Sequence, residues 1–141
     1  MYVAAGRAAD ILMARRTGDA DEIAYTRLVR TVSVCMQGKC SEARAALKAS
    51  QSPPGASAWV QTLFRHLTGD IDDVALLKGA ATKEQETEAH MYVAMSLLAE
   101  QKTAEGIPHL KWVAERGSPA VAEYYVAVAH LTRIAKPSPA Q

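Results

Sequence analysis

The chain has 141 residues, enough for one domain that buries most of its apolar surface. Its 16 Lys and Arg stand against 15 Asp and Glu, a balance that gives no general pull toward nucleic acid or an anionic membrane. The longest apolar runs fall far short of the roughly 20 residues of a membrane span, and the N-terminus lacks the basic start and apolar run of a signal peptide.

The chain therefore reads as soluble, with no membrane span and the cytoplasm as its default location. Charge is uneven along it, with 8 basic and 5 acidic residues in 1–50, 3 and 7 in 51–100, and 5 and 3 in the remainder. Ala, Leu, Met, Glu, Lys and Arg dominate and alternating β-branched runs are missing, so the fold class is all-α.

Breakers at nearly even intervals cut the chain into about eight helical segments. The first covers 1–16 and opens on Met1-Tyr-Val-Ala4, a stretch repeated at Met91-Tyr-Val-Ala94 and nearly so at Tyr124-Tyr-Val-Ala127. After Thr17-Gly-Asp19, the capping box Asp19-Ala-Asp-Glu22 precedes a helix over about 24–37 with an apolar stripe at Leu28, Val32, Cys35 and Met36. Gln37-Gly-Lys39 turns the chain, and Ser52-Pro-Pro-Gly55 precedes a helix over about 56–67. Thr68-Gly-Asp70 ends that helix, with Asp70-Ile-Asp-Asp73 as the next capping box. Thr82-Lys-Glu-Gln85 caps a helix over about 84–99.

A helix starting near Thr103 carries Leu110, Val113 and Ala114, and its Pro108 is expected to remove one internal hydrogen bond or to shift that start. Gly117 closes it, and Ser118-Pro119 is read as cap and first residue of a closing helix over 119–134. Residues 1–135 form one domain, and the Pro-rich tail 136–141 is expected to be disordered.

Helices this short are marginal alone in water, and short connections make neighbours antiparallel, so the chain should form a row of helical hairpins. Glu88–Leu98 and Val121–Leu131 share five identities at an offset of 33, namely Ala89/Ala122, Tyr92/Tyr125, Val93/Val126, Ala94/Ala127 and Leu98/Leu131. Gly38, Gly69 and Gln101 close the first helix of three successive hairpins at steps of 31 and 32.

Over about residues 24–134 the sequence here resembles the tetratricopeptide-repeat family, whose units of about 34 residues are two antiparallel helices with a turn glycine and small residues at fixed places. Gln37-Gly-Lys-Cys-Ser-Glu-Ala43 fits that turn, Thr68-Gly-Asp-Ile-Asp-Asp-Val74 fits with Val74 in the small place, and Glu100–Gly106 fits with Gly106 there but without the turn glycine. The family's Trp, Tyr and closing Pro are mostly missing. The resemblance implies antiparallel hairpins stacked as a short right-handed solenoid of about eight helices, in which the segments at 24–37, 56–67 and 84–99 are first helices. The copies at 91 and 124 are then equivalent, and the one at 1 is chance.

His66, His90, His109 and His130 show no i, i+4 pairing, and neither CxxC nor HExxH occurs, so no metal or other cofactor is expected. Cys35 and Cys40 lack the local signature of a nucleophile and are expected as reduced, half-buried thiols, with a disulfide across a turn as the alternative. The eight glycines stand singly, so no phosphate loop is present. Arg7, Arg15, Arg16, Arg27, Arg30, Arg44 and Lys48 are interleaved with acids and read as a solvated face rather than a nucleic-acid stripe.

The family's ligand side is the concave face lined by first helices. Carried over through Thr31, Thr62, Ala94 and Ala127 as equivalent small positions, it gives Leu28, Val32 and Cys35; Trp59, Leu63 and His66; Met91, Met95 and Leu98; and Tyr124, Val128 and Leu131. Met with aromatics suits an amphipathic helix or extended peptide. The expectation is a non-enzymatic adaptor or scaffold that binds a protein or peptide in this groove, with self-association into a homo-oligomer left open. The alternatives are an oligomerisation or chaperone-like module that sequesters a partner helix, and a small helical metal-dependent hydrolase using the histidines.

Overall fold

In a computed structural model that describes residues 19–136, seven helices follow one another, with no strand among the described residues. They are α1 (Ala20–Cys35), α2 (Cys40–Ser50), α3 (Ala58–Leu67), α4 (Asp73–Gly79), α5 (Lys83–Ala99), α6 (Thr103–Arg116) and α7 (Ala122–Ala135). The helix expected over 1–16, with its Met1-Tyr-Val-Ala4 copy, and tail residues 137–141 lie outside the described residues. No helix among the described residues is long and apolar enough to cross a membrane.

Local chemistry explains most of the starts. Asp19 accepts from the Asp21 amide at 3.0 Å, with Asp21 and Glu22 in the positive first turn of α1. Thr82 Oγ1 accepts from the Gln85 amide at 3.1 Å, while Gln85 Oε1 accepts from the Ala81 amide at 2.8 Å, so side chains satisfy amides on both sides of that start.

Two expected starts are corrected. Asp72, not Asp70, caps α4, accepting from the Ala75 amide at 2.8 Å, while the Asp70 carboxylate meets Thr68 Oγ1 at 3.4 Å and Lys48 at 3.5 Å. The last helix begins at Ala122 rather than Pro119: Ser118 Oγ accepts from the Ala120 amide at 3.3 Å in a turn before it, and the Ser118 amide donates to the buried Thr87 Oγ1 at 2.8 Å, which holds that turn against α5. Pro108 lies within α6, whose start at Thr103 stands.

The three hairpin turns share one hydrogen-bond pattern. Gly38, Gly69 and Gln101 all have left-handed φ, of 84°, 89° and 64°. In each turn this residue's amide donates three residues back, to Cys35, His66 and Leu98, and the next amide donates five back, from Lys39 to Val34, Asp70 to Arg65 and Lys102 to Leu97. This is the Schellman arrangement, which satisfies carbonyls that the helix end leaves open.

The first turn is also closed covalently, since Cys35 and Cys40 form a disulfide. That corrects the expectation of two reduced thiols. The physical reason is the turn itself, which reverses the chain between the last residue of α1 and the first of α2.

Packing follows the hairpins. α1 packs on α2, α3 on α4, and α5 on α6, with α7 against both α5 and α6. α5 is buried nearly all round from Thr87 to Leu98, with only His90 partly exposed in that stretch. Gly106 permits the close approach of α6, because a Cβ there would sit 2.3 Å from Leu98 Cδ1 and 3.3 Å from the Ala94 carbonyl oxygen.

An L-residue in the left-handed region costs about 1–2 kcal/mol that glycine avoids. Gln101→Gly should therefore raise the free energy of unfolding by about 1 kcal/mol, and Gly69→Ala should lower it by about 1–2 kcal/mol. Urea unfolding of the two variants beside the parent chain checks both signs.

Candidate functional site

The residues expected along the concave face divide into two groups. Leu28, Val32, Leu63, Met91, Met95 and Leu98 are buried, as are Cys35 in its disulfide and His66, whose Nε2 bonds Asp73 Oδ1 at 2.7 Å. Trp59, Tyr124, Val128 and Leu131 are half-buried. The reason is the mutual packing of α1, α3 and α5, each of which touches the other two, so their inner flanks face one another rather than solvent.

At the centre of that contact sits a carboxylate. Glu88 of α5, 6% exposed, accepts from Tyr25 Oη of α1 at 3.0 and 2.9 Å to its two oxygens, and from Trp59 Nε1 of α3. Burial raises the Glu88 pKa, while the donors Trp59 and Tyr25 oppose that shift. Glu123 of α7, 3% exposed, accepts a long hydrogen bond from Tyr92 Oη at 3.4 Å. Burial, reinforced by the nearby Glu88, pushes Glu123 up to about 8, so it holds its proton at neutral pH. The two acids share a wall of a shallow cleft of about 210 Å³ with Asp21, Glu22 and Tyr25.

The histidines meet in a way their spacing does not show. His90 of α5 and His109 of α6 approach to 2.9 Å between Nδ1 atoms, so one ring donates and the other accepts. Burial, then repulsion from His109, lowers His90 to about 4. The His90 ring stacks on Trp112 at 4.0 Å between centroids, and Lys83 Nζ lies 5.0 Å from the centre of the Trp112 ring. His130, held near 4 by burial and Arg133, is apart from this pair on α7. Among the described residues, no three His, Cys, Asp or Glu side chains converge on a metal position.

Accessible apolar surface lies elsewhere, in a trough of about 360 Å³ between the two helices of the first hairpin. Its floor is Thr31, Val34, Ala43, Ala46 and Leu47, and Arg27, Arg30, Glu42 and Ser50 rim it. Small side chains on α2 leave the trough open, and Arg30 is exposed to solvent. Arg27 is steadied by donating through Nη1 to the Gln51 carbonyl at 3.1 Å.

Sequence reading missed both the buried acids and this trough. Glu88 was visible in principle, because it falls three and seven residues before Met91 and Met95, on the apolar stripe of its own helix. The trough has no such signal, since it depends on the angle between two helices. The chain matches no family model, no curated protein and no solved structure.

A carboxyl group with a raised folded pKa binds its proton more tightly in the folded than in the unfolded chain. Its stabilising effect is complete below the unfolded value and is lost as pH rises through the folded one. For Glu123 that window runs from the ordinary 4.5 to about 8. Thermal unfolding measured across it should show Glu123→Gln gaining stability over the parent chain as pH rises, with the difference levelling off above the window.

Proposed function

We propose that this chain is a non-enzymatic, tetratricopeptide-like protein-interaction module, its hairpins stacked as a short right-handed solenoid. Support for the stacking comes from the three turns of one form at steps of 31 and 32 residues and from the mutual packing of the helices that precede them. The ligand in this reading is an amphipathic helix or extended segment of another protein.

The observation that carries the binding reading is the trough between α1 and α2, an apolar floor beside exposed arginine. Buried Leu28, Val32, Leu63, Met91, Met95 and Leu98 offer a partner little surface, whereas Val34 is half-buried and Ala46 exposed. Arg27 and Arg30 select a segment whose apolar face is flanked by Asp or Glu.

The test is titration of an acidic-flanked amphipathic peptide into isotope-labelled chain. Shifts should concentrate at Val34, Ala43, Ala46 and Leu47, and Val34→Glu with Ala46→Glu should abolish them while leaving the helical circular dichroism intact. Arg27→Glu with Arg30→Glu should weaken binding by roughly tenfold or more at low salt. Shifts centred away from these helices, or binding that survives the double glutamate change, would refute the placement.

A further inference from the structure

A second site is built from polar atoms that the fold leaves without partners. Arg44 Nε on α2, His66 Nδ1 on α3 and Ser96 Oγ on α5 are shielded from solvent and have no hydrogen-bond partner among the described residues. His66 is 6% exposed and Ser96 8%, so neither is a surface side chain turned casually inward. All three residues line one pocket of about 260 Å³. Unmet buried donors and acceptors are costly, and natural folds keep few of them. Three in one pocket, with room well beyond the roughly 30 Å³ of a single water, point to a polar occupant of several heavy atoms.

The charges around these atoms narrow its chemistry. The lining holds two permanent cations, Arg44 and Lys102, and three carboxylates, Asp73, Glu100 and Glu105. Asp73 is engaged by His66 Nε2 at 2.7 Å. Glu100 is engaged by Lys102 at 3.1 Å and by Arg44 Nη1 at 4.0 Å. A simple anion would meet more acid than base, and a simple cation would leave the Arg44 Nε–H without an acceptor. A ligand carrying both charges satisfies both sides.

His66 Nε2 is held by Asp73 Oδ1, which leaves Nδ1 as the ring nitrogen without a partner. The pocket then offers two donors, Arg44 Nε–H and Ser96 Oγ–H, and the Glu105 carboxylate as acceptor, with His66 Nδ1 unpartnered and Ile71 and Leu97 as apolar wall.

We propose that this pocket binds a small free α-amino acid as its zwitterion, the carboxylate on Arg44 Nε and Ser96 Oγ and the ammonium toward Glu105. The site is separate from the trough, sharing no lining residue with it. The helices that wall it come from all three hairpins, so occupancy would tie those hairpins together and raise thermal stability.

Calorimetric titration of the full chain with L-alanine and L-valine tests the assignment. Saturable one-site binding of at least one of them is expected, and N-acetylation or conversion to the amide should each weaken it by roughly tenfold or more. Ser96→Ala and Arg44→Gln should each weaken it by a similar factor with the helical circular dichroism unchanged, and amide shifts on binding should centre on Ser96 and Leu97. No saturable heat at millimolar concentration would overturn the proposal. So would an N-acetyl or amide derivative binding as tightly as the free amino acid, or full affinity in both variants.

Discussion

The arrangement of the first helices depends on a single buried carboxylate. Glu88 lies on the central helix with almost no exposure, and taking such a group out of water is tolerable only when its oxygens find donors. Tyr25 and Trp59 supply them from two other helices, 63 and 29 residues away in sequence. A contact of this kind is directional where apolar packing is not. It therefore fixes which faces of α1, α3 and α5 meet, and it draws the inner flank shut. Glu123 adds a second acid that avoids the same desolvation by keeping its proton, so the pair is accommodated by two different physical routes.

The hairpins themselves are set by backbone hydrogen bonding at the turns. One pattern recurs three times, with glycine in two places and Gln101 tolerated in the third. Around this shared turn the units differ. α4 has only seven residues and α5 seventeen, and the first turn alone among the described residues carries a disulfide. Such variation leaves the three turns alike in hydrogen bonds while the helices around them differ in length.

The surfaces left over are of two kinds. The trough beside α1 and α2 is apolar with arginine at its edge. The pocket where the hairpins converge is polar, mixed in charge and partly shielded from water. They share no lining residue, although α2 contributes side chains to both.

The sequence by itself determined the helical class, several capped starts and the three hairpin turns, because each is decided by residues within one or two turns of helix. Thr82 with Gln85, or Gly38 and Gly69, act on their own neighbours. Tertiary structure alone decided what depends on a distant partner. The matched residues Tyr92 and Tyr125 show it: equivalent in the sequence repeat, one is 1% exposed between α5 and α7 and the other is 59% exposed on the outer side of α7. The same holds for Ser118, whose amide bonds Thr87 across 31 residues, and for His90 and His109, which share a hydrogen bond across 19 residues. Local patterns say how a segment is wound. Which of its faces reaches water depends on whether another helix arrives to cover it.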